Sequence, residues 1–397
     1  MATACAPVAT RSASAMPMTS PMTSSTPSPL RRVSLLTRSL VVIVLVIALD
    51  LGCSPGFEPA SLVRGPRVIA VVADPPEAVP GQAVSFSPVV ASPTGTLSEG
   101  GGATATWWRC PDSDSDALGD FWQCSVPAER RELGGGVPYV DTVPAEIFGP
   151  PPPPGEPFDP DAASSKLLGA LLGYWRVMGT TVAAGDTSIE SFKRVPVYLP
   201  VPLAQLDERL AAIDVRVDPS GAIVANTNPL LTAVLVHEGA IDGPTVEALE
   251  PGQTYFFRPI FDERQLEAFF SLKMDLAGLD LENPASFAAL DIDELLTRFE
   301  RQQRCEIPTF NWYVTAGRIR REITVDEGII ARVYDERGVA CPAVEGDLRT
   351  AETEYTAPTG DDEEDPLPAD GVVHGWVVLR DGRGGTATLS FDLPITR

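Results

Sequence analysis

The chain of 397 residues is 44% hydrophobic and 21% charged, enough to build sizeable cores in two or three domains. Its formal net charge is −24, so nucleic acid and anionic lipid headgroups are repelled while divalent cations and basic partners are not. Its 39 prolines and 33 glycines suit short strands joined by many turns and argue against an α/β enzyme.

Residues 1–29 are rich in Ala, Ser, Thr, Pro and Met and are set aside from fold reasoning. Arg31, Arg32 and Arg38 then form a positive region, followed by an unbroken apolar run at 40–49 and by Leu51-Gly52-Cys53. The run is too short for a spanning helix, which needs about 20 residues, but normal for a secretory signal. Residues 1–52 therefore read as a leader and signal peptide. Leu51-Gly52-Cys53 resembles the lipobox of bacterial lipoproteins, where a small residue precedes a cysteine whose thiol takes a diacylglycerol before cleavage. Asp50 departs from it, since that family usually has Leu at this place. The resemblance implies lipidation at Cys53 and attachment to the membrane through that lipid. Residues 53–65 resemble the tether of such proteins, and Ser54 following the cysteine implies the outer membrane.

The body carries a diverged duplication. Residues 66–73 match residues 229–236, each an apolar strand after a proline. Pro80-Gly81-Gln82-Ala83-Val84-Ser85-Phe86-Ser87-Pro88-Val89 matches Pro251-Gly252-Gln253-Thr254-Tyr255-Phe256-Phe257-Arg258-Pro259-Ile260 at five of ten positions. The Pro-Gly pair predicts a turn, and the alternation after it a half-buried strand. A Trp strand follows in each copy, around Trp107-Trp108 and Trp312-Tyr313, and each copy closes in a Gly-turn hairpin. Ser191-Phe192 is aligned with Ser390-Phe391, and Pro196-Val197 with Pro394-Ile395 after a one-residue gap. This plan predicts a mainly β chain with two tandem Ig-like β-sandwich domains. They occupy residues 66–200 and 225–397, with residues 201–224 as a linker or short helix. These strands and turns resemble the Ig-like repeats of bacterial surface proteins, including polycystic-kidney-type and cadherin-like modules. The resemblance covers about half of the body and speaks to fold, scarcely to ligand.

Both copies are interrupted. In the first, five consecutive prolines at 150–154 predict an extended spacer, and Leu167, Leu168, Leu171 and Leu172 predict a helix over residues 164–175. In the second, residues 262–303 predict a helical insertion over 262–273 and 291–303, with Leu295, Leu296 and Phe299 on one face and acidic residues at the start. Such an insertion either caps the sandwich or supplies a binding surface. Four cysteines fall in the body: Cys110, Cys124, Cys305 and Cys341. Of their three connectivities, 110–124 and 305–341 keep each disulfide inside one domain. A zinc site would lack both CxxC spacing and a nearby His.

Only two histidines occur, His237 and His374, and His237-Glu238 has no second His four residues on. No GxSxG, Walker A or strand-borne GxGxxG motif is present. No catalytic residue is therefore expected, and no cofactor. Asp112, Asp114 and Asp116 alternate as in the first half of a calcium loop, but Ala117 and Gln123 stand where Gly and Glu are needed. They are a calcium candidate beside the plainer reading of a solvated acidic loop, as is the run at 361–365. The expected function is a lipid-anchored cell-envelope protein with a non-catalytic binding or structural role, its partner an envelope protein or polysaccharide. The alternatives are a carboxylate-based envelope hydrolase and an accessory subunit of an envelope assembly.

Overall fold

The computed structural model describes residues 59–97, 102–109, 130–147, 174–205, 208–217, 223, 225–275, 292–342, 349–361 and 365–396. The leader, the proline spacer and most of the predicted helix over 164–175 lie outside the described residues. The last two residues of that helix, Tyr174 and Trp175, open a strand.

The first module holds β1 (Arg67–Asp74), β2 (Ala83–Ser92), β3 (Gly95–Leu97), β4 (Ala103–Arg109), β5 (Arg131–Gly135), β6 (Tyr139–Thr142), β7 (Tyr174–Ala184) and β8 (Thr187–Val197). In one sheet β2 pairs with β1 along one edge and with β3 and β6 along the other; the second sheet has the order β5-β4-β7-β8. The second module holds β9 (Leu231–Glu238), β10 (Thr254–Phe261), β11 (Ala268–Met274), α1 (Ile292–Arg298), β12 (Phe299–Cys305), β13 (Thr309–Val314), β14 (Arg318–Ile319), β15 (Ile323–Val325), β16 (Thr353–Thr356), β17 (Val372–Arg380) and β18 (Thr386–Pro394). Its sheets run β14-β16-β10-β9 and β15-β13-β17-β18. The ladders between these strands are antiparallel, and single parallel bridges join Ala78 to Val197 and Leu249 to Ile395. In each module the first two strands and a later one face a sheet built on the Trp strand and the closing hairpin, which is the immunoglobulin plan.

The duplication holds residue by residue. Alternating burial drives both cores: Phe86 packs on Trp107 with centroids 6.0 Å apart, and Phe257 packs on Trp312 at 6.0 Å. Each Pro-Gly turn needs a positive φ, met by Gly81 at 81° and Gly252 at 73°. A β-bulge falls at the same place, skipping Ile69 in the first copy and Thr232 in the second.

The closing hairpins correct one expected match. Trp107 faces Thr180 and Trp312 faces Val377, while Thr180 faces Ser191 and Val377 faces Leu389. Ser191-Phe192 is thus equivalent to Leu389-Ser390, one residue earlier than the expected Ser390-Phe391, and the one-residue gap disappears. A one-residue slip in a strand exchanges its faces. Phe192 accordingly lies on the exposed side, whereas Phe391 packs against the second core.

The insertion at 262–303 is a second correction. Asp262 caps a 3₁₀ turn (Glu263–Gln265), and the chain then runs into β11, paired with β12 from Ala268–Cys305 to Met274–Phe299. Among the described residues of the insertion the α-helix is α1, with Asp293 and Glu294 in its first turn and Arg298 in its last. A short apolar run reads alike as helix or strand, and the cross-strand ladder decides here.

The predicted linker is packed rather than free. Leu203, Leu210 and Ile213 are buried in 3₁₀ turns at Leu203–Gln205 and Glu208–Ile213. The expected tether also enters the fold before its end: Val63 donates to the Val314 carbonyl at 2.8 Å, and Val314 donates to Ser61 at 2.9 Å. The two modules pack face to face. Ile69, Ala70 and Ala91 on the outer side of β1 and β2 meet Trp376 and Val378 on the outer side of β17.

Candidate functional site

The hairpin turn between β17 and β18 is Asp381-Gly382-Arg383-Gly384-Gly385. Asp381 is 1% exposed, and its Oδ1 accepts backbone N–H groups from Arg383 at 2.7 Å and from Gly384 and Gly385 at 3.0 Å. Its Oδ2 accepts from Asn226 Nδ2 at 3.0 Å. Gly385 cannot carry a side chain, since a Cβ there would lie 2.0 Å from Asp381 Oδ2. The turn is therefore wound tightly on one carboxylate, and it presents Arg383 to the junction of the modules.

Arg383 meets carboxylates from three separate segments. Its Nη2 lies 3.1 Å from Glu77 of the first module, and its Nη1 lies 3.1 Å from Glu267 and 3.4 Å from Glu306, which flank the β11–β12 hairpin. Glu77 also accepts the Asn226 backbone N–H at 2.8 Å, and Glu306 accepts that of Glu267 at 2.9 Å. Lys193 Nζ donates to the Gly384 carbonyl at 2.6 Å and to Thr386 Oγ1 at 3.0 Å.

Negative charge is in excess here, and the proton equilibria follow. Burial and the neighbouring Asp381 push Glu306 up to about 8. Burial also raises Glu77, against the lowering pull of Arg383. Lys193 is lowered to about 8 by burial. For Arg383 burial opposes the charge, but Glu77, Glu306 and Glu267 together leave its pKa raised. The guanidinium stays charged, and a proton on Glu306 relieves the crowding of carboxylates.

A cavity of about 250 Å³ opens beside this cluster, lined by Glu77, Tyr198, Val215, Arg216, Gly382, Arg383 and by Phe269, Phe270, Ser271 and Leu272 of β11. Its charged members are held in place. Arg216 binds the buried Asp214 at 3.1 Å and the carbonyls of Leu199 and Val201, and the lining ring of Phe270 is backed by Arg301, 3.6 Å from its centroid. One wall offers aromatic faces and the other fixed polar groups, an arrangement suited to stacking and hydrogen bonding. Glu306, raised by burial, is 2% exposed and is not part of the lining.

Of the expected site residues, Cys305 and Cys341 form a disulfide, with Cα atoms 5.7 Å apart. It ties the end of β12, beside Glu306, to the chain beyond a π-helical turn at Ile330–Asp335. Cys53, Cys110, Cys124, Asp112, Asp114 and Asp116 lie outside the described residues. At the second acidic run, Asp365 Oδ2 accepts from the Thr359 backbone. His237 Nδ1 lies 2.9 Å from the Gly243 carbonyl, and His374 sits between Asp392 at 2.7 Å and Asp370 at 3.2 Å. Among the described residues no group of three His, Cys, Asp or Glu side chains is arranged to hold a metal, and no helix is long and apolar enough to cross a membrane. Sequence reasoning missed Glu77, Glu267, Glu306 and Arg383. The available signal was the lone arginine in a glycine-rich turn that opens on an aspartate.

No protein-family model and no curated protein matches the chain. Among solved structures, a chimeric titin Z1Z2–Z1Z2 tandem carrying a fibronectin peptide is similar at 7% identity and TM-score 0.17, over 84% of this chain and 100% of that one. SGBP-B of the Bacteroides ovatus mixed-linkage glucan utilization locus, in complex with a mixed-linkage heptasaccharide, is similar at 12% identity and TM-score 0.14, over 84% and 48%. Protocadherin Gamma B2 extracellular cadherin domains 3–6 are similar at 12% and 0.13, over 84% and 78%. At these TM-scores the likenesses carry no argument, and the Ig-like architecture rests on the strand order and registers above.

Proposed function

We propose that this chain is a lipid-anchored protein of the cell envelope whose body binds or scaffolds rather than catalyses. One observation carries the role of the body. Residues from both modules, from the segment between them and from the β11–β12 hairpin converge on one cavity, and the Arg383 cluster fixes their positions. Preorganised aromatic and polar groups favour binding, and an envelope protein or polysaccharide is the partner class that fits an acidic extracytoplasmic body. The anchor rests on the apolar run at 40–49 followed by Leu51-Gly52-Cys53.

The experiment is intact mass spectrometry of the mature N-terminus, with Cys53→Ala beside the wild type and the membrane fraction assayed in parallel. A chain beginning at a diacylglyceryl-modified Cys53, with Cys53→Ala unprocessed or released, is the expected result. An unmodified wild-type Cys53 overturns the anchor. Release of sugar from envelope polysaccharide by the purified chain, abolished by Glu77→Gln at the carboxylate that lines the cavity, overturns the non-catalytic role in favour of the hydrolase.

A further inference from the structure

The two cores are built on equivalent positions, and at one end they differ in a consistent direction. Val68 faces Val90 next to the bulge in the first module, as Leu231 faces Phe261 in the second. Counting back from the paired Trp107 and Trp312, Ala105 is equivalent to Phe310; counting along β7 and β17 from Thr180 and Val377, Val182 is equivalent to Leu379. In the second module Phe261 and Phe310 pack with centroids 5.4 Å apart, and they fill the space between the sheets. The first module has Val90 and Ala105 in those two places. Two phenyl rings are missing from an otherwise repeated core.

Smaller side chains occupy that end of the core, where Leu97 and Val137 pack against Val90, Ala103, Ala105 and Val182, and a cleft opens beside them. A cleft of about 540 Å³ reaches between the sheets of the first module, floored by Val90, Ala103, Ala105 and Val182. Its mouth lies at the module junction, where Trp376, Thr388 and Ser390 of the second module form the far wall. Trp376 is fixed there by its Nε1 donating to Thr96 Oγ1 at 2.8 Å. Protein interiors are close-packed, so a cleft of this size lined by small apolar side chains stands out. Its volume falls within the roughly 300 to 1,000 Å³ of small-molecule sites.

We propose that this cleft binds a small apolar molecule bearing one or two aromatic rings, seated where the second module places Phe261 and Phe310. The ring system packs on Val90, Ala105 and Val182. A polar substituent of the ligand sits at the mouth, beside the hydroxyls of Thr388 and Ser390. Ions and free sugars would lose hydration against the apolar floor of Val90, Ala103, Ala105 and Val182 without replacement hydrogen bonds. This site is separate from the Arg383 cavity and does not depend on lipidation of Cys53.

The test is a fluorescence titration of the full chain with N-phenyl-1-naphthylamine, a neutral probe with two aromatic ring systems, with Cys53→Ala run in parallel. Saturable binding at one probe per chain is expected, equal in the wild type and Cys53→Ala. Ala105→Phe, which restores one ring of the second module, is expected to weaken binding at least tenfold while raising the melting temperature. Absence of saturable binding, or wild-type affinity in a folded Ala105→Phe, overturns the proposal. If Ala105→Phe does not fold, Ser390→Trp decides at the mouth, outside either core. A tenfold loss there upholds the site and unchanged affinity overturns it.

Discussion

Glu306 joins its own backbone neighbourhood to the module junction, accepting from the Glu267 N–H while facing Arg383. Burial keeps its proton on up to about pH 8, whereas the usual glutamate value is 4.5. Between those values the folded chain holds a proton that the unfolded chain has released. Stability contributed by this group is therefore full below about 4.5, falls as pH rises through the window, and levels off above 8. Lys193 acts in a different window: lowered to about 8 from 10.5, it makes the fold gain stability as pH rises between those two values. Glu306→Gln keeps the size and the neutral hydrogen-bonding capacity of the protonated acid. Urea denaturation between pH 5 and 8 should show stability declining in the wild type and a flatter profile in Glu306→Gln. Raised Glu77 leaves a smaller slope of the same sign. Equal slopes in the two proteins would show that Glu306 ionises freely in the fold. Beyond the lone arginine of the glycine-rich turn, this cluster was not legible in the sequence: Arg383 lies 306 residues from Glu77 and 77 from Glu306, and each carboxylate alone is an unremarkable surface charge. The pairing of Cys305 with Cys341 was legible, because a disulfide needs a partner and the domain plan left few.

At the scale of elements, periodicity was read well where one face of a strand is buried and poorly where it is not. β10 and β13 alternate cleanly, and their identity and Pro-Gly turn followed from sequence. β11 carries Phe269, Phe270 and Leu272 on both faces of a two-stranded ladder, so the run resembled a helix flank. β12, with Arg301, Gln302, Gln303 and Arg304, has no apolar period at all, and only its partner strand makes it β. A two-stranded sheet is marginal in isolation, which makes its covalent tie consequential. The Cys305–Cys341 disulfide sits among Leu266, Ile329, Val333 and Tyr334, whose hydroxyl bonds the carbonyls of Glu267 and Glu306. Cys341→Ser should lower stability by about 3 to 4 kcal/mol on the chain-entropy account of a loop this long. Hydrogen exchange should localise the loss to β11 and β12. Protection in the hairpin equal to that of the wild type would mean that the apolar cluster holds it without the bond.

The whole molecule is decided by faces that point away from both cores. β17 reads Val-Val-His-Gly-Trp-Val-Val-Leu-Arg, with Val373, Val377 and Leu379 inside its own sandwich and Trp376 and Val378 outside, against the first module. A strand apolar on both faces is buried on both faces. That rule, applied to β17, would have placed the modules in contact, which the turn and core motifs could not. Trp376 is 1% exposed, and it contributes to neither module's own core cluster. Its truncation therefore separates coupling from folding. Trp376→Ala should cost about 3 to 5 kcal/mol, the range for a large buried aromatic. The wild type, locked additionally by Arg383 to Glu77 and by Asn228 to Ala73 and Thr386, should melt in one calorimetric transition. Loss of the tryptophan should resolve that transition into two, because each module keeps its own Phe–Trp pair while the surface that joined them is weakened. A single transition retained in Trp376→Ala, merely shifted down, would place the coupling in the polar cluster. Arg383→Met would then be the variant that divides the melt.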